Sequence, residues 1–383
     1  MLVQLITNFG DLQPYRQSWN RLADDCLFRS WDWLSTWWQH YSAGKQLHVL
    51  LVFEEEPKAS CQSERTCSSA EVDAERLIGI LPCYLETCFA RGRVLRLLGD
   101  GEVCTDHLDL LTSAENCEQV ANSLAKYLIK TADSWDTTAF TAIGTDCTGL
   151  MQLSQALSAL NCQVSEKPNA SRWSIALPED WEGYLAMQSK SHRKKIRRLS
   201  RASLETDSTV WHLVKTLEEF EQAWPILQDL HQRRRISLGE PGCFASPRWA
   251  EFHRDVASQL LDQGQLRLSW LEFSGQPIAA EYQFADKQAT YAYQSGFDPD
   301  QIDEQPGRLS LICAIQHAIN EGQASFDLMR GDEPYKAQWR AEPQATVDIC
   351  AVAPRSAAML RNRAVRYLQS AVRTARQLTN MLS

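Results

Sequence analysis

The sequence predicts a mixed α/β (α+β) fold made of two tandem units, each a mostly antiparallel sheet flanked by helices. Three observations predict this fold class. Short runs rich in β-formers alternate with longer segments of helical periodicity along the chain. In the second half, three of these runs follow one another with only turn residues between them. A short motif near residue 30 recurs near residue 246, and a similar order of elements follows each copy.

Length and charge limit the classes of function. A chain of 383 residues is long enough for two hydrophobic cores. The formal net charge of −9 argues against generic nucleic-acid binding. Met1–Leu12 lacks the basic segment and long apolar core of a signal peptide, and no run approaches the roughly 20 apolar residues of a membrane helix. We therefore expect a cytoplasmic protein without a transmembrane segment.

The cysteines do not predict a metal site. The 12 cysteines are scattered, and the nearest pairs, Cys61/Cys67 and Cys83/Cys88, fit no familiar zinc spacing. Most of the others have apolar neighbours, where a reduced cysteine acts as a small hydrophobic residue. We expect reduced cysteines, a reducing compartment and no metal.

The first unit, residues 1–168, begins with a strand and a helix and continues into an aromatic helix start at Phe28–Trp38. Trp33 and Trp37 are four residues apart on one helical face, which favours core packing over a stacking platform for sugars or bases. Leu47–Phe53 and Arg76–Glu86 read as paired strands. Glu54–Glu75 between them, rich in Glu, Ser and Ala, is predicted to be a mobile surface excursion. Further predicted elements are strands Val94–Leu98, Leu108–Leu111, Thr137–Ile143 and Gln163–Ser165, and helices Cys117–Thr131 and Thr148–Leu160.

The second unit, residues 169–353, follows a boundary placed at Lys167-Pro168-Asn169. Its first half is predicted to contain strands Arg172–Ala176 and Thr209–Val214 and helices Trp181–Gln188, Ser189–Thr206, Leu217–Arg235 and Pro247–Gln263. An antiparallel meander follows at Leu266–Phe273, Pro277–Ala285 and Gln288–Gly296. Pro306-Gly307-Arg308 then opens helix Leu309–Glu321, which Gly322 ends, and the last strand is Ala324–Met329.

Residues 354–383 are predicted to form a terminal helix that is basic and amphipathic. It carries arginines but no acidic residue, and Leu360, Ala364 and Leu368 lie on one face. Such a helix can lie on an anionic membrane surface as a peripheral contact, or it can pack its apolar stripe on the protein. The alanine-rich stripe favours packing.

The region Leu266–Trp339 resembles the acyl-CoA-binding half of GNAT acyltransferases. The resemblance is carried by Pro306-Gly307 before the helix, by Phe326-Asp327 in the last strand, and by Gly331-x-x-x-Tyr335-Lys336-x-x-Trp339. This combination is similar to the branch that contains CelD-type polysaccharide-associated acetyltransferases, which is related to the Fem-type aminoacyl transferases. The resemblance implies tandem GNAT-like domains, acetyl-CoA or another acyl-CoA as co-substrate, and no metal.

The same resemblance implies roles for individual residues. Tyr335 would protonate the leaving thiolate and Lys336 would stabilise the oxyanion. Asp327 would be either a structural acceptor or a base with a raised pKa. The implied cofactor-binding residues are Tyr293 and Gly296 on the strand edge that faces the pantetheine, and Pro306, Gly307 and Arg308 at the pyrophosphate. The usual superfamily fingerprint, Arg/Gln-x-x-Gly-x-Gly/Ala, is absent, and because Fem-type relatives take aminoacyl-tRNA, the donor class stays open.

A basic run, Lys190–Arg201, resembles a helix of the same families, with Arg193 at the matched position. Its dense positive face predicts an anionic ligand, such as a phosphate-linked sugar or tRNA, with a solvated charged face as the alternative. We assign substrate binding to Arg193, Arg197 and His231, the last by position only. Glu281 on the central meander strand is a weak base candidate.

The internal repeat pairs Phe28-x-Ser30-x-x-Trp33 with Phe244-x-Ser246-x-x-Trp249. The first copy lacks counterparts of Pro306-Gly307 and Tyr335-Lys336, so we expect it to be non-catalytic. The leading hypothesis is an N-acyltransferase that acylates an amine, for example an amino sugar of a cell-surface polysaccharide, by direct attack. The alternatives are a Fem-like aminoacyl or peptidyl transferase that uses charged tRNA, and a non-catalytic partner in a polysaccharide assembly complex.

Overall fold

The computed structural model describes residues 1–55 and 76–368. Most of the predicted excursion Glu54–Glu75 and the end of the terminal helix lie outside the described residues. The chain divides into two compact units. Unit 1 comprises Met1–Asn169 and Thr346–Ser383, and unit 2 comprises Ala170–Ala345. Residues 346–383 thus belong with the first unit, whereas the sequence analysis assigned 346–353 to the second.

Before the chain leaves unit 1, the described residues of this unit contain nine complete strands, the first half of a tenth strand and four α-helices. The strands are β1 (Leu2–Ile6), β2 (Lys45–Leu47), β3 (Val49–Phe53), β4 (Leu77–Leu81), β5 (Cys83–Cys88), β6 (Gly92–Leu97), β7 (Leu111–Thr112), β8 (Thr137–Thr138) and β9 (Phe140–Gly144). The helices are α1 (Arg16–Leu22), α2 (Trp31–Tyr41), α3 (Cys117–Lys130) and α4 (Thr148–Ala159). β1, β3, β4 and β7 form one antiparallel sheet in that order. In a second group, β2 and β5 are antiparallel, as are β5 and β6, while β6 and β8 run parallel.

Unit 2 contains the predicted meander. Its helices are α5 (Trp181–Met187), α6 (Lys190–Leu199), α7 (Leu217–Ser237), α8 (Pro247–Asp262), α9 (Pro306–Asn320) and α10 (Pro334–Gln338). Its strands are the second half of β10 (Gln163–Ala176), β11 (Thr209–Leu213), β12 (Leu266–Phe273), β13 (Gln276–Ala285), β14 (Ala289–Phe297), β15 (Ser325–Arg330) and the start of β16 (Glu342–Val352). Residues 163–169 of β10 and residues from 346 onward of β16 belong to unit 1. The strand order is β11-β12-β13-β14-β15-β10, antiparallel except for the parallel pair β14 and β15. This confirms the predicted mixed, mostly antiparallel sheet with flanking helices.

The two copies of the repeated motif have nearly the same local geometry. Ser30 Oγ accepts a hydrogen bond from the Trp33 amide at the start of α2, and Ser246 Oγ accepts one from the Trp249 amide at the start of α8. These are N-caps, which satisfy an amide that the helix leaves free. The Phe28 and Trp33 rings lie 4.9 Å apart at 82°, and the Phe244 and Trp249 rings 4.9 Å apart at 80°. The repeat therefore encodes a capped aromatic helix start in each unit.

The tryptophans of α2 pack in the core. Trp33 and Trp37 are each 1% exposed, and Trp33 Nε1 donates to Thr105 Oγ1 at 3.1 Å. This confirms the prediction of packing, because buried rings present no open face to a sugar or a base.

The chain passes between the two units inside strand β10. Unit 1 ends at Asn169 and unit 2 starts at Ala170, directly after Lys167-Pro168-Asn169, and the 14-residue strand β10 runs through this point. The predicted helix Ser189–Thr206 is an α-helix to Leu199 and a π-helical turn over Ser200–Leu204, so its helical conformation ends two residues before the predicted end.

The terminal helix spans residues 356–368 within the described part of the chain. Ala358 is 1% exposed, whereas Leu360 and Leu368 of the predicted stripe are 64% and 63% exposed. The prediction that this stripe packs was therefore wrong for the described residues. Arg355 and Arg361 both form ion pairs with Asp136 Oδ1, at 2.6 Å and 3.1 Å. Ala358, which lies between these two arginines in sequence, is the buried residue of this helix start. Among the described residues, no helix is both long and apolar enough to cross a membrane.

Candidate functional site

The sheet of unit 2 opens between β14 and β15. These parallel strands pair at Ala289↔Ser325, Thr290↔Phe326 and Tyr291↔Asp327, and β14 then continues to Phe297 without further pairing to β15. The register between β13 and β14 shifts from Gln283↔Ala292 to Tyr282↔Gln294, which makes Tyr293 the extra residue of a β-bulge. Beyond the bulge, the edge of β14 that faces β15 offers main-chain groups to a ligand.

Glu281 on β13 is a buried carboxyl group next to this opening. It is 6% exposed, and its two oxygens accept hydrogen bonds from Ser310 Oγ at 2.6 Å and from Gln283 Nε2 at 3.4 Å. Burial raises the pKa of Glu281 to about 7, against the smaller lowering effect of the two hydrogen bonds. A carboxyl group with this pKa exchanges a proton near neutral pH, which suits it to act as a general base.

Tyr335 on α10 is an electrostatic neighbour of Glu281. The residue is 44% exposed. Desolvation of its hydroxyl, followed by the charges of Glu333 and Glu281, raises the pKa of Tyr335 to about 12, while Arg235 opposes the shift. The phenol is therefore protonated at neutral pH and partly accessible, so it can donate a proton to a leaving group.

Lys336, next in sequence, is buried and bound to main-chain carbonyls. It is 2% exposed, and its Nζ donates to the carbonyls of Met329 at 3.1 Å and Gly331 at 2.9 Å and forms an ion pair with Glu333 at 2.9 Å. An ammonium group has three protons, and three partners use them. This contradicts the free ammonium group that an oxyanion role needs. Lys336 instead ties α10 to the end of β15.

Asp327 also has a local partner. It is 4% exposed, and its Oδ1 accepts a 2.6 Å hydrogen bond from the Met329 amide. Met329 has φ +60° and Gly331 has φ +131°, so the chain turns sharply at the end of β15. Of the two roles considered for Asp327, these contacts favour the structural acceptor.

A basic pocket of about 410 Å³ lies where the first turns of α6 and α9 meet the segment after α10. Its lining includes Lys195, Arg308 and Arg340, together with His192 and Gln338, and it contains no acidic side chain. Burial and then the Arg308 charge lower the pKa values of His192 and Lys195. Arg308 Nη2 reaches Gln338 Oε1 at 3.4 Å. Such a pocket suits an anion of phosphate type.

The predicted cofactor-binding residues fall in different places. Arg308 lines the basic pocket, with Pro306 and Gly307 beside it at the start of α9. Tyr293 does not face the opening, because its hydroxyl lies 3.1 Å from His253 Nε2 within an aromatic cluster. A Cβ on Gly296 would lie 2.3 Å from the His231 amide nitrogen, so this glycine permits the close approach of α7. The Tyr293 side chain and the lack of a side chain at Gly296 thus serve packing, while the main-chain groups of both residues lie on the β14 edge beyond Tyr291, where their cofactor contacts stay a prediction.

The predicted substrate-binding residues do not form one site. His231 is 1% exposed, with Nδ1 2.9 Å from the Ser295 carbonyl and Nε2 3.2 Å from Cys243 Sγ, and burial lowers its pKa. His231 is thus a core residue, which corrects its assignment. Arg197 pairs with the exposed Glu182 at 2.5 Å, and Arg193 lies on α6 outside the pocket lining.

Sequence reasoning missed Ser310, His192, Gln338 and Arg340 and gave Lys195 no role. One signal was available, since Ser310 lies in the helix that Pro306-Gly307 opens, one turn after Gly307. The described residues contain no group of three or more His, Cys, Asp or Glu side chains arranged to hold a metal ion.

Comparisons with known proteins agree with this architecture. Residues 190–337 match the family described as "Acetyltransferase (GNAT) domain". This match covers less than half of the chain and indicates an acyltransferase with a GNAT acetyltransferase domain at residues 190–337. A search of curated proteins returned no match.

Several solved structures resemble nearly the whole chain. FemX has a TM-score of 0.60 at 10% identity, over 91% of this chain and 97% of FemX. The C-terminal domain of a putative lysylphosphatidylglycerol synthetase from Agrobacterium fabrum has a TM-score of 0.52 at 11% identity, over 91% and 96% of the two chains. A conserved protein of unknown function from Bacteroides thetaiotaomicron has a TM-score of 0.51 at 10% identity, over 92% and 100%. At these identities the likeness shows the fold alone.

Proposed function

Because residues 190–337 form a GNAT acetyltransferase domain, we propose that unit 2 transfers an acyl group from acyl-CoA to an amine by direct attack. One observation carries the proposal: the buried Glu281, with a pKa of about 7, lies beside the opening between β14 and β15 and is an electrostatic neighbour of the Tyr335 phenol. Acyl transfer to an amine uses a base that takes the amine proton and an acid that protonates the leaving thiolate.

The donor would occupy two adjoining parts of unit 2. The pantetheine amides would pair with the unpaired edge of β14 beyond Tyr291, as a further strand would. The diphosphate would enter the basic pocket, where Lys195, Arg308 and Arg340 supply positive charge. No covalent intermediate on the enzyme is required.

In the proposed reaction, Glu281 accepts the proton that the attacking amine loses. The amine nitrogen forms a bond to the thioester carbon, and the tetrahedral intermediate then expels the CoA sulfur. Tyr335 donates its hydroxyl proton to that sulfur, so the products are an amide and the free thiol. Ser310 holds the Glu281 carboxylate through the 2.6 Å hydrogen bond, and Lys336 and Asp327 fix the turn that carries Tyr335.

The chemistry and the resemblance together define the proposed acceptor. An amine is the acceptor that this chemistry implies, and an amino sugar of a polysaccharide precursor follows from the resemblance to the CelD-type branch. A cytoplasmic location is part of the same proposal, and the described cysteines are all free, as a reducing compartment allows.

Isothermal titration of the full chain with acetyl-CoA and free CoA tests the donor. We expect saturable binding that Arg308→Ala and Lys195→Ala each weaken by about tenfold or more, since each removes a charge-assisted hydrogen bond. Lys194→Ala is the matched control, because Lys194 is exposed on the same helix but does not line the pocket. Absence of binding by the folded protein would overturn the acyl-CoA proposal. A panel of amines with acetyl-CoA, read by release of the free thiol, then identifies the acceptor class.

A second candidate is aminoacyl transfer from charged tRNA. The exposed side chains of Lys190, Lys194, Arg198 and Arg201 favour it, because they give the α6 region a dense positive surface beside the basic pocket. Binding of tRNA that weakens steeply with added salt, together with no binding of CoA, would favour this candidate over the first.

A further inference from the structure

We propose that unit 1 contains a separate anion site that binds a phosphate group. The site is a cavity of about 120 Å³ between the terminal helix and strands β8, β9, β10 and β16. Arg91, Thr137, Lys167 and Arg366 line it, with Asp348 and Cys350. All of these residues belong to unit 1, so the site is distinct from the basic pocket of unit 2.

The charge of the lining is the first argument. Arg91, Lys167 and Arg366 form no ion pair with any carboxylate in residues 1–55 and 76–368. Other arginines of the same unit are paired, as Arg355 and Arg361 are with Asp136. Basic side chains that converge on a cavity without acidic partners attract an anion.

The acidic residue of the lining does not cancel this charge. Asp348 Oδ1 accepts hydrogen bonds from the Ala142 amide at 2.9 Å and from Asn169 Nδ2 at 2.7 Å. These two hydrogen bonds of the carboxylate thus come from neutral donors and not from the basic side chains of the lining. Three basic side chains against one acidic side chain leave the lining positive.

Thr137 supplies an independent argument. Thr137 is one of the lining residues and is 3% exposed, and its buried Oγ1 has no hydrogen-bond partner among the described residues. The neighbouring Thr138 Oγ1, by contrast, accepts a 2.8 Å hydrogen bond from the Ala351 amide. A buried hydroxyl group without a partner is costly, and a bound oxyanion would accept its proton in a hydrogen bond.

Size and geometry select the ligand class. A cavity of about 120 Å³ holds a phosphate group but not a nucleotide. Guanidinium, ammonium and hydroxyl donors are together suited to a tetrahedral oxyanion. The group can come from a soluble phosphate or from a lipid headgroup, because the terminal helix that lines the cavity also exposes Leu360 and Leu368.

Isothermal titration of the full chain with inorganic phosphate at low ionic strength tests the site. We expect saturable binding of phosphate. The double variant Arg91→Ala/Lys167→Ala should weaken this binding by at least about tenfold, and Thr137→Val, which keeps the side-chain volume, should weaken it several-fold. Lys126→Ala, at an exposed position of α3, should leave binding unchanged. Arg308→Ala should also leave this binding event in place, which separates it from the pocket of unit 2.

Vesicles distinguish the two sources. A lipid headgroup would be assigned if the protein sediments with phosphatidic acid vesicles more than with phosphatidylcholine vesicles and if Thr137→Val reduces this sedimentation. Binding of inorganic phosphate alone would assign a soluble ligand. Two results would overturn the proposal: neither probe binds the folded protein, or Lys126→Ala weakens binding as much as the cavity variants do. Failure of CoA binding in unit 2 would leave this test unaffected.

Discussion

The Ser310 hydroxyl donates a 2.6 Å hydrogen bond to Glu281 Oε1, and so connects helix α9 to the central strand of the meander. The bond favours the ionised form of a carboxyl group that burial otherwise keeps protonated. The balance of the two effects leaves the Glu281 pKa at about 7. Burial in the sheet and the hydrogen bonds from Ser310 and Gln283 therefore set the pKa of the proposed base.

The pKa of Glu281 predicts a pH-dependent contribution to stability. The folded-state pKa of about 7 exceeds the ordinary value of 4.5, so between these pH values the folded chain binds more protons than the unfolded chain. The free energy of unfolding should fall as pH rises from 4.5 to 7, and Glu281→Gln should lack this fall. The fall in the free energy of unfolding across this pH range should be larger in the wild-type chain than in Glu281→Gln by about 3 kcal/mol. Urea unfolding at pH 5 and pH 8 measures it, and parallel behaviour of the two proteins would contradict the raised pKa.

Ser310→Ala should shift the pH dependence of acyl transfer. Loss of the hydrogen bond removes a group that lowers the Glu281 pKa, so the basic form of Glu281 should appear only at higher pH. We expect the acidic limb of kcat/KM to move upward and activity at pH 7 to fall several-fold, with recovery at pH 9. Ser310→Cys is a conservative comparison. An unchanged profile in Ser310→Ala would show that the carboxyl group does not limit the rate.

Tyr335→Phe should lower kcat without destabilising the fold. The residue is 44% exposed, and its hydroxyl forms no hydrogen bond with another described residue, so removal of the hydroxyl should cost little stability. A general acid typically contributes at least about a hundredfold, and we expect a loss of that size in kcat. Thermal melting should be unchanged within about 1 °C, since surface substitutions have small effects. Full activity in this variant would remove Tyr335 from the mechanism.

Lys336→Ala should destabilise the protein as well as reduce its activity. The substitution leaves the Met329 and Gly331 carbonyls without their donor at a buried position. We expect a loss of about 2–4 kcal/mol in the free energy of unfolding, measured by denaturant titration. Lys336→Met, which keeps most of the volume, separates packing from hydrogen bonding. A stable but inactive Lys336→Ala protein would instead restore the direct catalytic role that the sequence predicted.

The order of elements was largely predictable from the sequence. The meander was predicted at Leu266–Phe273, Pro277–Ala285 and Gln288–Gly296, and each observed strand begins and ends within one residue of these bounds. The preferences of turn residues and β-formers are local, so the sequence pattern predicts these strands and turns well. The repeat was also visible, because an N-cap serine and two packed aromatic residues are specified within six positions.

The directions of the side chains were less predictable. The bulge at Tyr293 breaks the two-residue alternation of β14, and this ring packs on His253 instead of facing the opening. A glycine is needed at position 296 because α7 approaches closely there, with residues about 65 positions away in sequence. The resemblance gave Lys336 a catalytic role together with Tyr335, although Lys336 is 2% exposed and bound to main-chain carbonyls while Tyr335 is 44% exposed. Such contacts depend on tertiary packing, which local patterns do not contain.

The most direct test of the central claim is the pH dependence of kcat/KM for acyl transfer from acetyl-CoA, compared between the wild-type chain and Glu281→Gln. The account predicts that wild-type kcat/KM rises with pH to a plateau through an apparent pKa near 7. Glu281→Gln should be at least about a hundredfold slower at the plateau and should lack this limb. Wild-type rates in Glu281→Gln, with the same pH limb, would contradict the assignment of Glu281 as the base.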